Sequence, residues 1–109
     1  MLIRTFGSAV YGVSAVTITI EVNAGQQTGI GYFLVGLPDN AVKESLQRIE
    51  SALKFNNYAL PRQKIVVNMA PADIRKEGSA YDLPLALGYL AATNQIQTDQ
   101  IHKYIIMGE

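Results

Sequence analysis

Ile30-Gly31-Tyr32-Phe33-Leu34-Val35-Gly36-Leu37-Pro38-Asp39-Asn40-Ala41-Val42-Lys43-Glu44-Ser45-Leu46 is the stretch that decides how this 109-residue chain folds. From Ile30 to Val35 the residues are apolar with little alternation, the composition of a strand covered on both faces. Gly36-Leu37-Pro38-Asp39-Asn40 then breaks the strand, and the hydrophobic period changes. Val42, Leu46, Ile49 and Leu53 recur at the spacing of one helical stripe. Asp39 or Asn40 can cap that helix, because a short side-chain oxygen satisfies an orphan N–H of the first turn. Glu44 with Arg48, and Glu50 with Lys54, stand in the favourable i,i+4 order and mark the solvent side, each worth about 0.2–0.5 kcal/mol.

Toward the N-terminus, Val16, Ile18, Ile20 and Val22 alternate with Thr17, Thr19 and Glu21, the pattern of a half-buried strand running from Val13 to Val22. Leu2 to Phe6 reads as a short strand before it, and the small residues from Gly7 to Gly12 read as a connection. Asn23-Ala24-Gly25-Gln26-Gln27-Thr28-Gly29 reads as a polar turn. The chain is therefore expected to open as an antiparallel meander. Toward the C-terminus, Asn56-Asn57-Tyr58 ends the first helix, and Pro61 keeps the connection extended. Lys64 to Met69 returns to strand composition. A loop from Ala70 to Ser79 leads to a second helical stripe at Leu83, Leu87, Leu90 and Ala91. Pro84 is tolerated only in a first turn, so that helix starts with Tyr81 or Asp82 as its cap. Tyr104 to Met107 reads as a last strand, which stops at Gly108-Glu109 with no turn chemistry after it. The order is three strands, helix, strand, helix, strand: an α+β fold in two layers. Residues 1–109 form one domain, with more chain expected downstream.

Hydrophobic residues make up 49% of the chain, enough for one real core. Nine basic residues balance nine acidic ones, so no long-range field gathers nucleic acid or anionic lipid. Cysteine is absent, which removes disulfides and thiolate metal sites and fits a reducing compartment. With His102 the single histidine, a structural zinc site within one chain is close to excluded. Met1-Leu2-Ile3-Arg4-Thr5-Phe6 lacks the pattern of a secretory signal, and the apolar runs fall short of the roughly 20 residues that span a bilayer. No membrane partner and a cytoplasmic location are expected.

Three segments carry a resemblance. They are Phe6-Gly7-Ser8-Ala9-Val10-Tyr11-Gly12, then Phe33 to Ser45 running on into Arg48-Ile49-Glu50-Ser51-Ala52-Leu53, and Asn68-Met69-Ala70-Pro71-Ala72-Asp73-Ile74-Arg75-Lys76-Glu77-Gly78-Ser79-Ala80-Tyr81-Asp82-Leu83-Pro84-Leu85-Ala86. Over nearly the whole chain this resembles the N-terminal domain of the Mg-chelatase-like ATPases of the ComM/YifB group. The resemblance implies a fold similar to the Lon proteolytic domain and the RadA C-terminal domain, the ribosomal S-five domain-two-like fold. It also implies an AAA+ module downstream that binds ATP and magnesium, a ring-forming homo-oligomer, and DNA as a partner in branch migration during natural transformation. On that reading the present chain is a non-catalytic regulatory or assembly domain, with no cofactor of its own.

Two catalytic readings fail on single residues. Gly7-Ser8-Ala9-Val10-Tyr11-Gly12-Val13-Ser14 has P-loop glycine spacing, but Val13 stands where a lysine must reach the phosphates, and a strand rather than a helix follows. The alternative function, a Lon-like Ser-Lys peptidase, needs a serine whose proton a lysine takes. In the matching segment the nucleophile position falls on Ala80, Ser79 is one residue early, and the partner lysine would lie beyond Glu109. Ser79 reads instead as a loop hydroxyl bonded locally. A third reading, an autonomous RNA-binding module, rests on fold alone.

Arg75 and Lys76 are the sharpest remaining contact candidates: two cations on a glycine-containing loop beside a helix start, suited to a DNA phosphate or an acidic partner surface. The other reading of the same residues is a solvated charged loop, with Glu77 cancelling part of the charge. Asp73, Glu77 and Asp82 are accounted for by capping and solubility rather than as a metal cluster. His102 and Tyr104 read as edge or packing residues, and Arg62 with Lys64 as an isolated basic pair.

Overall fold

The computed structural model describes residues 1–25 and 28–109. Gln26 and Gln27, inside the expected polar turn, lie outside the described residues. β1 (Leu2–Tyr11) and β2 (Ser14–Ala24) form a long antiparallel ribbon turning at Gly12 and Val13. β3 (Gly31–Val35) follows, then a one-turn helix α1 (Asn40–Lys43) and, after Glu44, α2 (Ser45–Phe55). β4 (Lys64–Ala70), α3 (Asp82–Ala92) and a 3-10 turn (Ile101–Lys103) complete the order. The result is a mixed α+β fold: one four-stranded sheet with helices packed on one face.

The strand order is β1-β2-β4-β3, with β2 and β4 antiparallel and β3 and β4 parallel. The opening meander is therefore corrected, since β4 sits between β2 and β3. The α1–α2 segment joins β3 to β4, and a crossover of that kind makes a parallel pair, which hydrophobic alternation does not encode. β1 also runs further than expected, through Gly7 to Tyr11. Its small residues serve packing rather than turning: a Cβ on Gly7 would lie 3.1 Å from Met107 Sδ and 3.2 Å from a Tyr81 ring carbon. The last expected strand is reduced to one parallel bridge, Phe6 with Ile105, along the outer edge of β1.

The core lies between Ile18, Ile20, Val22, Ile65, Val67 and Met69 of the sheet and Val42, Ile49, Leu53, Leu85 and Tyr89 of the helices. The stripe expected on α3 is rotated, with Leu83 exposed and Leu85, Gly88, Tyr89 and Ala92 buried. Gly88 sets the rotation, because a Cβ there would sit 2.7 Å from Val22 Cγ2. The helix is apolar on most sides, so periodicity alone could not choose its buried face. Both long helices stop at an asparagine with positive φ, Asn57 and Asn94. Tyr58 N–H donates to Leu53 O at 2.9 Å, and Gln95 N–H to Leu90 O at 2.8 Å, the long return bond that closes a helix C-terminus.

Candidate functional site

Because β3 and β4 are parallel, the segments leaving their C-terminal ends emerge side by side. They lock together: Pro38 and Lys76 form a parallel bridge, Asp39 N–H donates to Lys76 O at 2.9 Å, and Lys76 N–H donates to Leu37 O at 3.0 Å. Asp39 caps α1, accepting from Val42 N–H at 2.8 Å, and its other oxygen accepts from Gly78 N–H at 3.1 Å. One side chain thus serves both a helix start and the following loop. Burial works against the charge of Asp39, but the N–H groups of Val42 and Gly78, the nearby Arg75 and the N–H of Ala41 hold its carboxyl below the usual range.

The structure separates the two adjacent cations. Arg75 is out in solvent, its side chain 68% exposed and 3.3 Å from Glu77. Lys76 is fully buried, its Nζ donating to Gly36 O at 2.6 Å and also to Pro71 O. Its expected place on the contact surface is corrected accordingly: its ammonium ties the ends of β3 and β4 to each other. Burial pushes that ammonium below its ordinary value, opposed by Asp73. Gly36 permits the arrangement. Its φ is +115°, and a Cβ there would come 2.0 Å from Met69 O.

Asp82 does not cap α3. Tyr81 holds the cap position without a side-chain bond, and Asp82 instead takes a two-pronged ion pair from Arg48, Nε to Oδ2 at 2.6 Å and Nη2 to Oδ1 at 2.9 Å. Arg48 also donates to Ala41 O at 2.7 Å, so it fastens α2 to the start of α3 and to α1. The expected partner Glu44 forms no ion pair with it, nor does Glu50 with Lys54, among the described residues. A bidentate partner on another helix was invisible to a reading confined to i,i+4 spacing.

The remaining candidates fall apart in space. Ser79 Oγ donates to the Glu109 carboxylate while Lys76 Nζ faces two carbonyls, so this serine and lysine are not brought together. Val13 sits at the tip of the β1–β2 turn, wholly exposed. Asp73, Glu77 and Asp82 do not converge into a group able to hold a metal among the described residues. His102 and Tyr104 are exposed near the outer edge of β1, Arg62 is exposed, and Lys64 lies 5.3 Å from the Phe33 ring centroid. No described helix is long and apolar enough to cross a membrane.

What fold and site define together is a two-layer α+β module whose parallel strand ends are fastened by a buried lysine. Residues 18–109 match the family described as subunit ChlI of Mg-chelatase, and the chain belongs to that family. It is 43% identical over 101 residues to protein YifB of Escherichia coli, covering 93% of this chain and 20% of that protein. YifB of Salmonella typhimurium is 44% identical over 102 residues, with the same shares covered. Competence protein ComM of Haemophilus influenzae is 40% identical over 104 residues, covering 95% of this chain and 20% of ComM. The chain therefore spans 20% of the length of these curated relatives.

Proposed function

We propose that this chain is the non-catalytic N-terminal regulatory or assembly module of a cytoplasmic Mg-chelatase-like AAA+ ATPase. The reading rests on one observation: relatives of about 40% identity align along nearly the whole chain yet continue for several times its length. ATP and magnesium belong to the module downstream, which forms a homo-oligomeric ring, and the full-length protein handles DNA in the manner of a branch-migration helicase. Within this module, Arg75 is the cation available to an external phosphate or acidic surface, and the buried Lys76 positions the loop that carries it.

Full-length protein and a form lacking residues 1–109 provide the test. Removing the module should leave ATP hydrolysis per subunit intact while ring assembly or processing of branched DNA falls. Unchanged ring formation and DNA processing would overturn the reading. In the full-length protein, Arg75→Ala should lower DNA affinity and flatten its salt dependence by about one unit of slope if that arginine meets a phosphate. An unchanged slope removes the phosphate contact and leaves the assembly role standing.

A further inference from the structure

Beside the loop 71–79 lies a cleft of about 490 Å³, with Ser8 to Tyr11 of β1 on one side, Ile74, Arg75 and Tyr81 on the other, and Met107 also lining it. That volume falls within the range of ligand pockets. The β1 wall is a free sheet edge. Ala24 N–H donates to Met1 O, and the Met1 amine donates back to Ala24 O, the doubly bonded type of antiparallel pair. Pairs alternate from there, so the even-numbered residues of β1 aim N–H and C=O away from β2.

Going along that edge, its partners run out. Phe6 O accepts from Ile106 N–H at 2.7 Å, where the C-terminal segment lies beside β1. The next outward donor, Ser8 N–H, meets only the thioether of Met107 at 3.3 Å, and Ser8 O accepts from the Tyr81 hydroxyl at 3.0 Å. A thioether is a weak acceptor, so this donor is poorly satisfied. The C-terminal segment then turns away to α3, where Gly108 N–H donates to Ala80 O and Leu83 N–H donates to Gly108 O. At Val10, 83% exposed, no described segment takes the edge. Tyr11 beside it is 69% exposed, an aromatic at the mouth of an apolar cleft.

We propose that this cleft binds an extended peptide segment, which continues the pairing begun at Phe6 by adding to the β1 edge at Val10. An apolar side chain of the peptide packs against Ile74 and Tyr81, and an acidic one beside it meets Arg75. Strand addition is the recognition mode that uses unpaired edge groups for affinity and alternate side-chain pockets for specificity. A nucleic acid suits the cleft less: its one cation already has Glu77 at 3.3 Å, so a phosphate chain would meet as much negative charge as positive. The inference goes beyond the module reading and stands whether or not the full-length protein handles DNA.

The test is a library of random linear peptides panned against the 109-residue chain, with affinities of the selected peptides measured by fluorescence anisotropy. Peptides with an apolar residue next to an acidic one should be enriched. Val10→Pro deletes an N–H that faces away from β2, a placement where an edge strand tolerates proline. It should weaken binding about tenfold, the worth of one hydrogen bond, at an unchanged melting temperature. Arg75→Glu should shift the selection from acidic to basic peptides. Methylating successive backbone nitrogens of the peptide asks the same question without touching the protein: alternate positions should abolish binding. No enriched peptide, uniform tolerance of N-methylation, or a thymidine oligonucleotide bound to the cleft regardless of Val10→Pro would each overturn the proposal.

Discussion

At the ends of β3 and β4, polar groups are matched to one another: the Asp39 carboxylate to two N–H groups, the Lys76 ammonium to two carbonyls, and the two loop backbones to each other. Along the tip of the β1–β2 ribbon the opposite holds. Residues 11–18 of the ribbon run past the end of β4 with no third strand beside them, and Val10, Tyr11 and Val13 stand in solvent. The two regions lie on either side of one loop, and their difference is one of constraint. A buried charge held only by carbonyls fixes backbone positions, because every departure strands a polar group out of water. An unpaired edge fixes nothing and leaves hydrogen bonds to be made by something else.

The contrast can be broken most severely at Gly36. Gly36→Val puts a branched side chain at a φ of +115° and against Met69 O, and should cost more than about 4 kcal/mol. Failure to recover folded protein, or a collapsed urea midpoint, is the expected result. Lys76→Met keeps the stem but strands two carbonyls, at about 1–3 kcal/mol for each group left unsatisfied. Its denaturant midpoint should drop well below that of the parent, with the slope of the transition unchanged.

Acid sharpens the same comparison. The carboxyl of Asp39 is depressed in the folded state, so its contribution is present above the ordinary carboxylate pKa of about 3.9 and is lost as pH falls through the folded value. Asp39→Asn, which retains a capping oxygen, should therefore differ from the parent at neutral pH and converge on it as the pH falls below about 4. On the open side, Arg75→Ala and Val13→Ser should each move stability by less than about 0.5 kcal/mol in a thermal melt.

The residues show why one half of this picture could be read from sequence and the other could not. Alternation from Val16 to Val22, the four-three-four spacing from Val42 to Leu53, the Asp39 cap and the placement of Pro84 in a first turn are local features, and the structure carries each of them. The insertion of β4 between β2 and β3, the pairing of Arg48 with Asp82, and the turn of α3 about Gly88 depend on contacts distant in sequence. Lys76 is the instructive case. A lysine in a polar loop is ordinarily solvated, and only the carbonyls of Gly36 and Pro71, brought together by the parallel strands, make its burial tenable. The neighbouring Gly36 was the available sign, since it was read as a strand breaker when its place is set by contact with Met69 O.

Amide hydrogen exchange on the 109-residue chain tests the contrast most directly. The N–H groups of Asp39 and Lys76, which cross-link the two loops, should be protected to nearly the free energy of global unfolding. The N–H of Val10 should exchange close to the rate of an unstructured peptide. Loop amides exchanging as fast as Val10, or a Val10 amide as slow as the core of β2, would contradict the account.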